Sequence, residues 1–380
     1  MSITKLRSLT GRSSSKCISR LYSNGVYERN FSDNVDIFLL SFSLLDLVIT
    51  NACNKNNIPI KKFQCYVSKL TDPWANLAFE EWEHQIPIIR RKSGGGSVFH
   101  DIGNTNYTLI TPRKNFTRAY AAELVANAVK TRLDIPAYVN ERHDIMIDSF
   151  KISIFLNWHC NAEYTRAYHH GTMLIDTDLN QIGRYLRVGK KNLITKGVQS
   201  VPSPVTNLRK YSSTVNHHSF CKSVLEEFRE RCCDHLNDMQ PVYVDESMIS
   251  EIPKIVEYLE ELKSWDWTFG QTPEFTHEFE ESFTWGHMKA FIKSRDGIIT
   301  AVTLTPSNIE YENLSAILED SLEGSKYDNE GITQAVSKSL VDVQLSNTSS
   351  IGVITPSTSS SIRNPHEILM DIGNWIVKSL

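Results

Sequence analysis

Arg90-Arg91-Lys92-Ser93-Gly94-Gly95-Gly96-Ser97-Val98-Phe99-His100-Asp101-Ile102-Gly103-Asn104 is the stretch on which the reading of this chain turns. Three successive glycines let a backbone pass close to a ligand and turn its amides inward. Such amides bind anionic oxygens. The two arginines ahead of them add fork-shaped, permanently charged donors suited to phosphate. The residue types fit a mononucleotide phosphate, and they equally fit a flexible turn beside a surface basic pair. A Walker A loop is excluded, because no Gly-Lys-Ser/Thr follows at the required spacing. The four glycines between Ser93 and Asn104 predict a loop.

Around it, the pattern alternates between short apolar runs and helical periodicity. Phe63–Leu70, Ile88-Ile89 and Tyr107–Ile110 read as strands. Asp72-Pro73 reads as N-cap and first turn of a helix reaching about His84. Arg118–Leu133 carries helical periodicity. Ile145–Ile147 and Lys151–Phe155 read as strands turning at Asp148-Ser149, Tyr168–Ile175 as another strand, and Val215–Leu236 as an amphipathic helix. Val35–Ile49 is apolar but too short for a membrane span, and it predicts a buried helix or irregular segment. The class is α/β or α+β. A second unit begins near Ser250, with a Ser/Thr-rich linker over Ser346–Ser361 and a last helix capped by Asn364-Pro365. With 380 residues, two domains are expected.

Composition narrows the function classes. A net charge of −4 argues against general nucleic-acid binding. The seven cysteines form no C-x-x-C pair and suggest free thiols in a reducing compartment. Met1–Asn24 holds Lys5, Arg7, Arg12, Lys16 and Arg20 with no acid, which suggests a mitochondrial presequence. Tyr168-His169-His170-Gly171-Thr172 places adjacent histidines on opposite strand faces, a poor metal site. Lys151 opens an apolar strand, where a lysine is ordinarily a surface residue.

In their order, these pieces resemble the lipoate–protein ligase A family. Asp72-Pro73-Trp74-Ala75-Asn76-Leu77-Ala78, the Arg-Arg pair with its triple glycine, Asp144, Lys151, the His-His-Gly-Thr run and Lys196-Gly197-Val198 through Asn207-Leu208 follow the family's sequence of motifs. Trp265-Asp266-Trp267-Thr268-Phe269-Gly270-Gln271-Thr272-Pro273 and Phe283-Thr284-Trp285-Gly286 match its accessory domain. The likeness covers about residues 63 to 305.

The resemblance implies a biotin/lipoate protein ligase-like catalytic domain over residues 31–248 and a small C-terminal domain over 249–380, preceded by a presequence over 1–30. It implies ATP, Mg2+ and lipoate as substrates or cofactors. The partners it implies are lipoyl carrier domains of 2-oxoacid dehydrogenase E2 subunits and of the glycine cleavage H protein, in the mitochondrial matrix. Carried over by position, Arg91, Gly96, Ser97, Val98, Phe99 and Lys151 contact the nucleotide. Arg90, Ser93, Gly94, Gly95, His100, Lys151 and His169 line the lipoate pocket, Asp144 serves the metal, and Lys151 is catalytic without being a covalent nucleophile. An ATP-independent lipoyl or octanoyl transferase of the same fold, with Cys160 as its candidate nucleophile, and a non-catalytic carrier-binding member are the alternatives. The chain departs from the family in three places. Only Gln85–Ile89 separates the first helix from Arg90, Lys151-Ile152-Ser153-Ile154 lacks the usual glycine, and His143 replaces an asparagine.

Overall fold

The computed structural model describes residues 25–30, 35–41, 63–67, 72–77, 88–91, 95–112, 116–156, 166–186, 192–197, 202–232, 242–243, 253–349 and 364–380. In chain order, the first strands are β1 (Gly25–Asn30), β2 (Val35–Ser41) and β3 (Phe63–Val67), followed by helix α1 (Pro73–Asn76). Then come β4 (Ile88–Arg90), β5 (Val98–Asp101), β6 (Asn104–Pro112), α2 (Arg118–Arg132), β7 (Tyr138–Val139), β8 (Ile145–Ile147), β9 (Phe150–Lys151), β10 (Ser153–Leu156) and β11 (Arg166–Leu174). After α3 (Leu179–Tyr185) and β12 (Leu193–Thr195) follow α4 (His217–Cys232), β13 (Val242–Tyr243), α5 (Pro253–Lys263) and α6 (Trp265–Thr268). The chain closes with β14 (Phe275–Phe283), β15 (Gly286–Arg295), β16 (Ile298–Pro306), α7 (Glu312–Leu322), α8 (Asn329–Ser349) and α9 (Pro365–Ser379).

The chain divides into two compact units. The first holds a six-stranded sheet ordered β10-β11-β6-β2-β1-β13 and two three-stranded sheets, β4-β3-β5 and β7-β8-β9. Its core joins Tyr107, Leu109 and Met173 of the large sheet to apolar residues of α2 and α4. Helix α2 starts where Thr117 accepts the Tyr120 amide, and it ends with Lys130 and Arg132 in its last turn, which suits the helix dipole. The second unit packs the antiparallel sheet β12-β14-β15-β16 on α7, α8 and α9.

Several expectations are corrected. Val35–Ser41 is a strand between β1 and β6, not a helix, because its β-branched and aromatic residues suit a pleated ladder. Gly25–Asn30 pairs within the same sheet, so the leader expected over 1–30 extends six residues into folded structure; residues 1–24 lie outside the described residues. Val98–Asp101 pairs with β3, which shortens the loop expected through Asn104. Helix α1 ends at Asn76, where Leu77 takes extended geometry. Asp72 caps it as expected, but Asn76 Nδ2 donates back to the Asp72 carbonyl, and Trp74 and Leu77 turn inward, at 2% and 1% exposure. Residues expected in a linker, Ser346–Ser349, complete helix α8.

The units do not divide at 248/249. The first runs to Thr268, while Leu70–His84 and Arg187–Gln199 belong to the second. Trp74 explains the first recruitment: its ring lies 5.3 to 5.4 Å from those of Phe269, Phe275 and Tyr327, at the centre of the second unit's aromatic core. Pairing of Leu193–Thr195 with β14 explains the other, and Lys196 Nζ adds an ion pair to Glu274 at 2.6 Å. Among the described residues, no helix is long and apolar enough to cross a membrane.

Candidate active site

The glycine loop connects β4 to β5, the two strands that flank β3. Ser93 and Gly94 lie outside the described residues. Gly95 has φ +111°, a conformation that side chains seldom adopt. Arg91 Nη2 donates to the Gly96 carbonyl at 2.6 Å. Ser97 and Val98 are buried beyond it, and Phe99 stacks on Tyr185 of α3 at 5.9 Å.

His100 is buried, and its Nδ1 meets Asn104 Nδ2 at 2.8 Å. An amide NH2 can only donate, so Nδ1 accepts and a neutral ring carries its proton on Nε2. Burial, reinforced by the Arg91 charge, pushes the His100 pKa down to about 3. His170 is held at about 3 by burial, then by Arg91, His169 and His100. Its Nε2 is sealed from solvent and, among the described residues, lacks a hydrogen-bond partner. Arg91, Gly96, His100, Asn104 and His170 therefore form one group.

A second group surrounds Lys151. Its Nζ lies 3.0 Å from Asp144 Oδ2, and its side chain is 20% exposed against 7% for Asp144. Backbone bonds hold it: Lys151 N donates to the Pro204 carbonyl, and the Thr206 amide to that of Lys151. Asp144 lies in a turn where Asn140 Oδ1 accepts its amide and His143 takes φ +64°. Tyr107 Oη meets Ser153 Oγ at 3.1 Å, and burial, opposed by that bond and aided by the Asp144 charge, raises its pKa. His169 stacks on Tyr107 at 6.4 Å and is held at about 4 by burial and then by His143.

His169, expected in the lipoate pocket, lies with the Lys151 group, and His170 faces Arg91 and His100, because neighbouring strand residues face opposite ways. The two groups meet at the His169–His170 pair. Arg90, expected in the lipoate pocket, is held just ahead of the loop's first residue. It is fully buried, and its Nε donates to the Thr268 carbonyl at 2.7 Å. Cys160, the candidate nucleophile of the transferase alternative, lies outside the described residues. The sequence reading missed Tyr107 and Asn104; the strand alternation through Asn104-Thr105-Asn106-Tyr107 was the available signal.

The histidine shifts set a pH dependence. A histidine whose folded pKa lies below its unfolded value near 6.5 contributes stability above that value, and this contribution drains away as pH falls toward the folded pKa. For His100, His169 and His170 the window runs from 6.5 down to about 3 to 4. Burial raises the Asp101 pKa. Its contribution has the opposite sign: present at low pH and lost as pH rises through the folded value. Three histidines outweigh it, so the urea midpoint should fall between pH 7.5 and pH 5. An unchanged midpoint would contradict the burial of neutral imidazoles.

Residues 65–229 match the model of the lipoyl protein ligase A/B catalytic domain, and residues 272–353 that of the bacterial lipoate protein ligase C-terminus. A lipoate-protein ligase A of Psychrobacter cryohalolentis is 34% identical over 269 residues, 70% of this chain and 78% of the relative. Among solved structures, P. falciparum LipL1 in complex with lipoate aligns at 22% identity and TM-score 0.49, covering 87% of this chain and 95% of that one. A lipoate-protein ligase A bound with ATP aligns at 18% identity and TM-score 0.43, covering 58% and 92%.

Proposed function

The chain belongs to the lipoate–protein ligase A family, and from that premise we propose that it activates lipoate with ATP and transfers the lipoyl group to a lysine of a lipoyl carrier domain. In the first step, a lipoate carboxylate oxygen bonds to the α-phosphorus while the bond to the β-phosphate oxygen breaks, and pyrophosphate leaves. In the second, the carrier lysine amine attacks the acyl carbonyl. The acyl–phosphate bond breaks, AMP leaves, and the nitrogen gives up a proton.

The bond between Arg91 and Gly96 carries this reading. A guanidinium drawn onto the Gly96 carbonyl places positive charge beside the backbone of Gly95 to Ser97. Preorganised donors of this kind stabilise charge developing on phosphate. Lys151 supplies a second cation, oriented by Asp144. Its ammonium can serve both steps, first at the α-phosphate and then at the oxyanion.

A magnesium ion arriving with the nucleotide fits Asp144, since Mg2+ needs only one or two protein carboxylates beside phosphate oxygens. When bound, it would neutralise the departing pyrophosphate. Among the described residues, no group of three or more His, Cys, Asp or Glu is placed to hold an ion alone. The acid-free, basic residues 1–24 support action in the mitochondrial matrix. There, 2-oxoacid dehydrogenase E2 subunits and the glycine cleavage H protein would present the lysine.

Mixing the protein with ATP and lipoate should release pyrophosphate, and adding a lipoyl domain should increase that domain's mass by one lipoyl group. Transfer of an acyl group from a donor carrier without ATP would replace the ligase reading by a transferase. Carrier binding without either product would leave a non-catalytic member.

A further inference from the structure

Loop position depends on β4, a three-residue strand that pairs only with β3 among the described strands. So short an edge strand needs support from outside its sheet. That support comes from α6, in the Trp265-Asp266-Trp267-Thr268 motif that no step of the proposed chemistry uses.

The contact runs in both directions. Trp267 Nε1 donates to the Arg90 carbonyl at 2.7 Å, and Arg90 Nε donates to the Thr268 carbonyl at 2.7 Å. Arg90 has no exposed surface. Helix α6 is itself pinned, because Ser264 Oγ accepts the Trp267 amide at 3.1 Å and donates to the Glu261 carbonyl at 2.8 Å. The Arg90 carbonyl belongs to the peptide whose nitrogen is that of Arg91. Whatever fixes that carbonyl fixes the start of the side chain that holds Gly96.

We propose that Trp267 is a positioning residue for the nucleotide: its indole N–H clasps the Arg90 carbonyl and thereby sets Arg91, and through it Gly96, for phosphate. The inference rests on the ligase reading, and it concerns ATP rather than lipoate.

The test is Trp267→Phe in the full chain, which keeps an aromatic ring and removes the donor. The KM for ATP should rise roughly tenfold, the ratio expected for loss of one such hydrogen bond. The KM for lipoate and the melting temperature should stay near wild type. Trp267→Gln, which restores a donor, should recover part of the ATP effect. An unchanged KM for ATP overturns the proposal. So does a rise in both KM values together with a lower melting temperature, since that marks a merely structural residue.

Should Trp267→Phe fail to fold, the wild-type indole can be read directly. Hydrogen exchange at Trp267 Nε1 should slow when ATP alone is added, and exchange indifferent to ATP overturns the proposal. Wild type assayed in parallel separates the two readings. No pyrophosphate from wild type removes the ligase reading and this inference with it, whereas active wild type with an unaltered variant removes only the role of Trp267.

Discussion

Lys151→Ala should lower pyrophosphate release from ATP and lipoate by about two to three orders of magnitude, the loss typical for removing one preorganised donor from a charge-developing centre. The effect would fall on kcat, because the ammonium acts where negative charge accumulates in the transition state. A complication comes from Asp144. Its carboxylate is 7% exposed and lies 3.0 Å from the Lys151 ammonium, so the variant strands a nearly buried charge. Breaking a buried pair from one side costs about 3–5 kcal/mol, and less here, because Lys151 keeps 20% of its side-chain surface. Loss of activity alone would then be ambiguous. The double variant Lys151→Ala/Asp144→Asn removes the stranded charge. Stability should return in the double variant and pyrophosphate release should not, staying well below that of Asp144→Asn alone, the control that separates the loss of Lys151 from the loss of the carboxylate assigned to Mg2+. If activity returned with stability, Lys151 would be a structural partner of Asp144 and the catalytic assignment would be wrong.

Local signals were legible where local physics decides. Asp72-Pro73 before α1 and Asn364-Pro365 before α9 are caps whose donors and acceptors lie within one turn, and both helices start there. The need for glycine at position 95, where φ is positive, was legible for the same reason. What escaped depends on partners distant in sequence. Helix α1 stops at Asn76 because Trp74 and Leu77 are drawn into apolar surroundings, Trp74 among aromatic rings about two hundred residues away. The domain boundary was misplaced by the same attraction. Arg90 and Arg91 look equivalent in sequence, yet Arg90 ends β4 and donates to Thr268, while Arg91 follows the strand and donates to Gly96. His169 and His170 are divided by strand alternation, which is legible in the sequence: one stacks on Tyr107 and the other faces Arg91 and His100.

Gly103→Ala should destabilise the first unit by roughly 3–5 kcal/mol, combining overpacking with broken buried hydrogen bonds. A methyl group there would lie 2.1 Å from the Asp176 oxygen, 2.2 Å from its carbonyl carbon and 2.5 Å from the Thr177 nitrogen. All three are backbone atoms, so no side-chain rotation relieves the clash. Nor can the segment retreat. The Gly103 carbonyl accepts the amides of Ile175 and Asp176, both at 3.0 Å. Asp101 accepts from Gly103 N at 2.9 Å and Asp178 N at 2.7 Å. Asn207 clasps Thr177 with both ends of its amide, at 3.0 and 2.7 Å. This knot joins the β5–β6 turn to the end of β11, so it positions His100 and Asn104 as well. The melting temperature should fall by roughly 6–15 °C, with activity lost in proportion to unfolding. Gly183→Ala is the matched control, because a methyl group on α3 meets nothing within 4 Å. Relief of the helix penalty of glycine should leave that variant unchanged or stabilised by up to about 1 kcal/mol. Equal melting temperatures for the two variants would show that Gly103 is not held against Asp176, and the knot would then not be what orders the far end of the glycine loop.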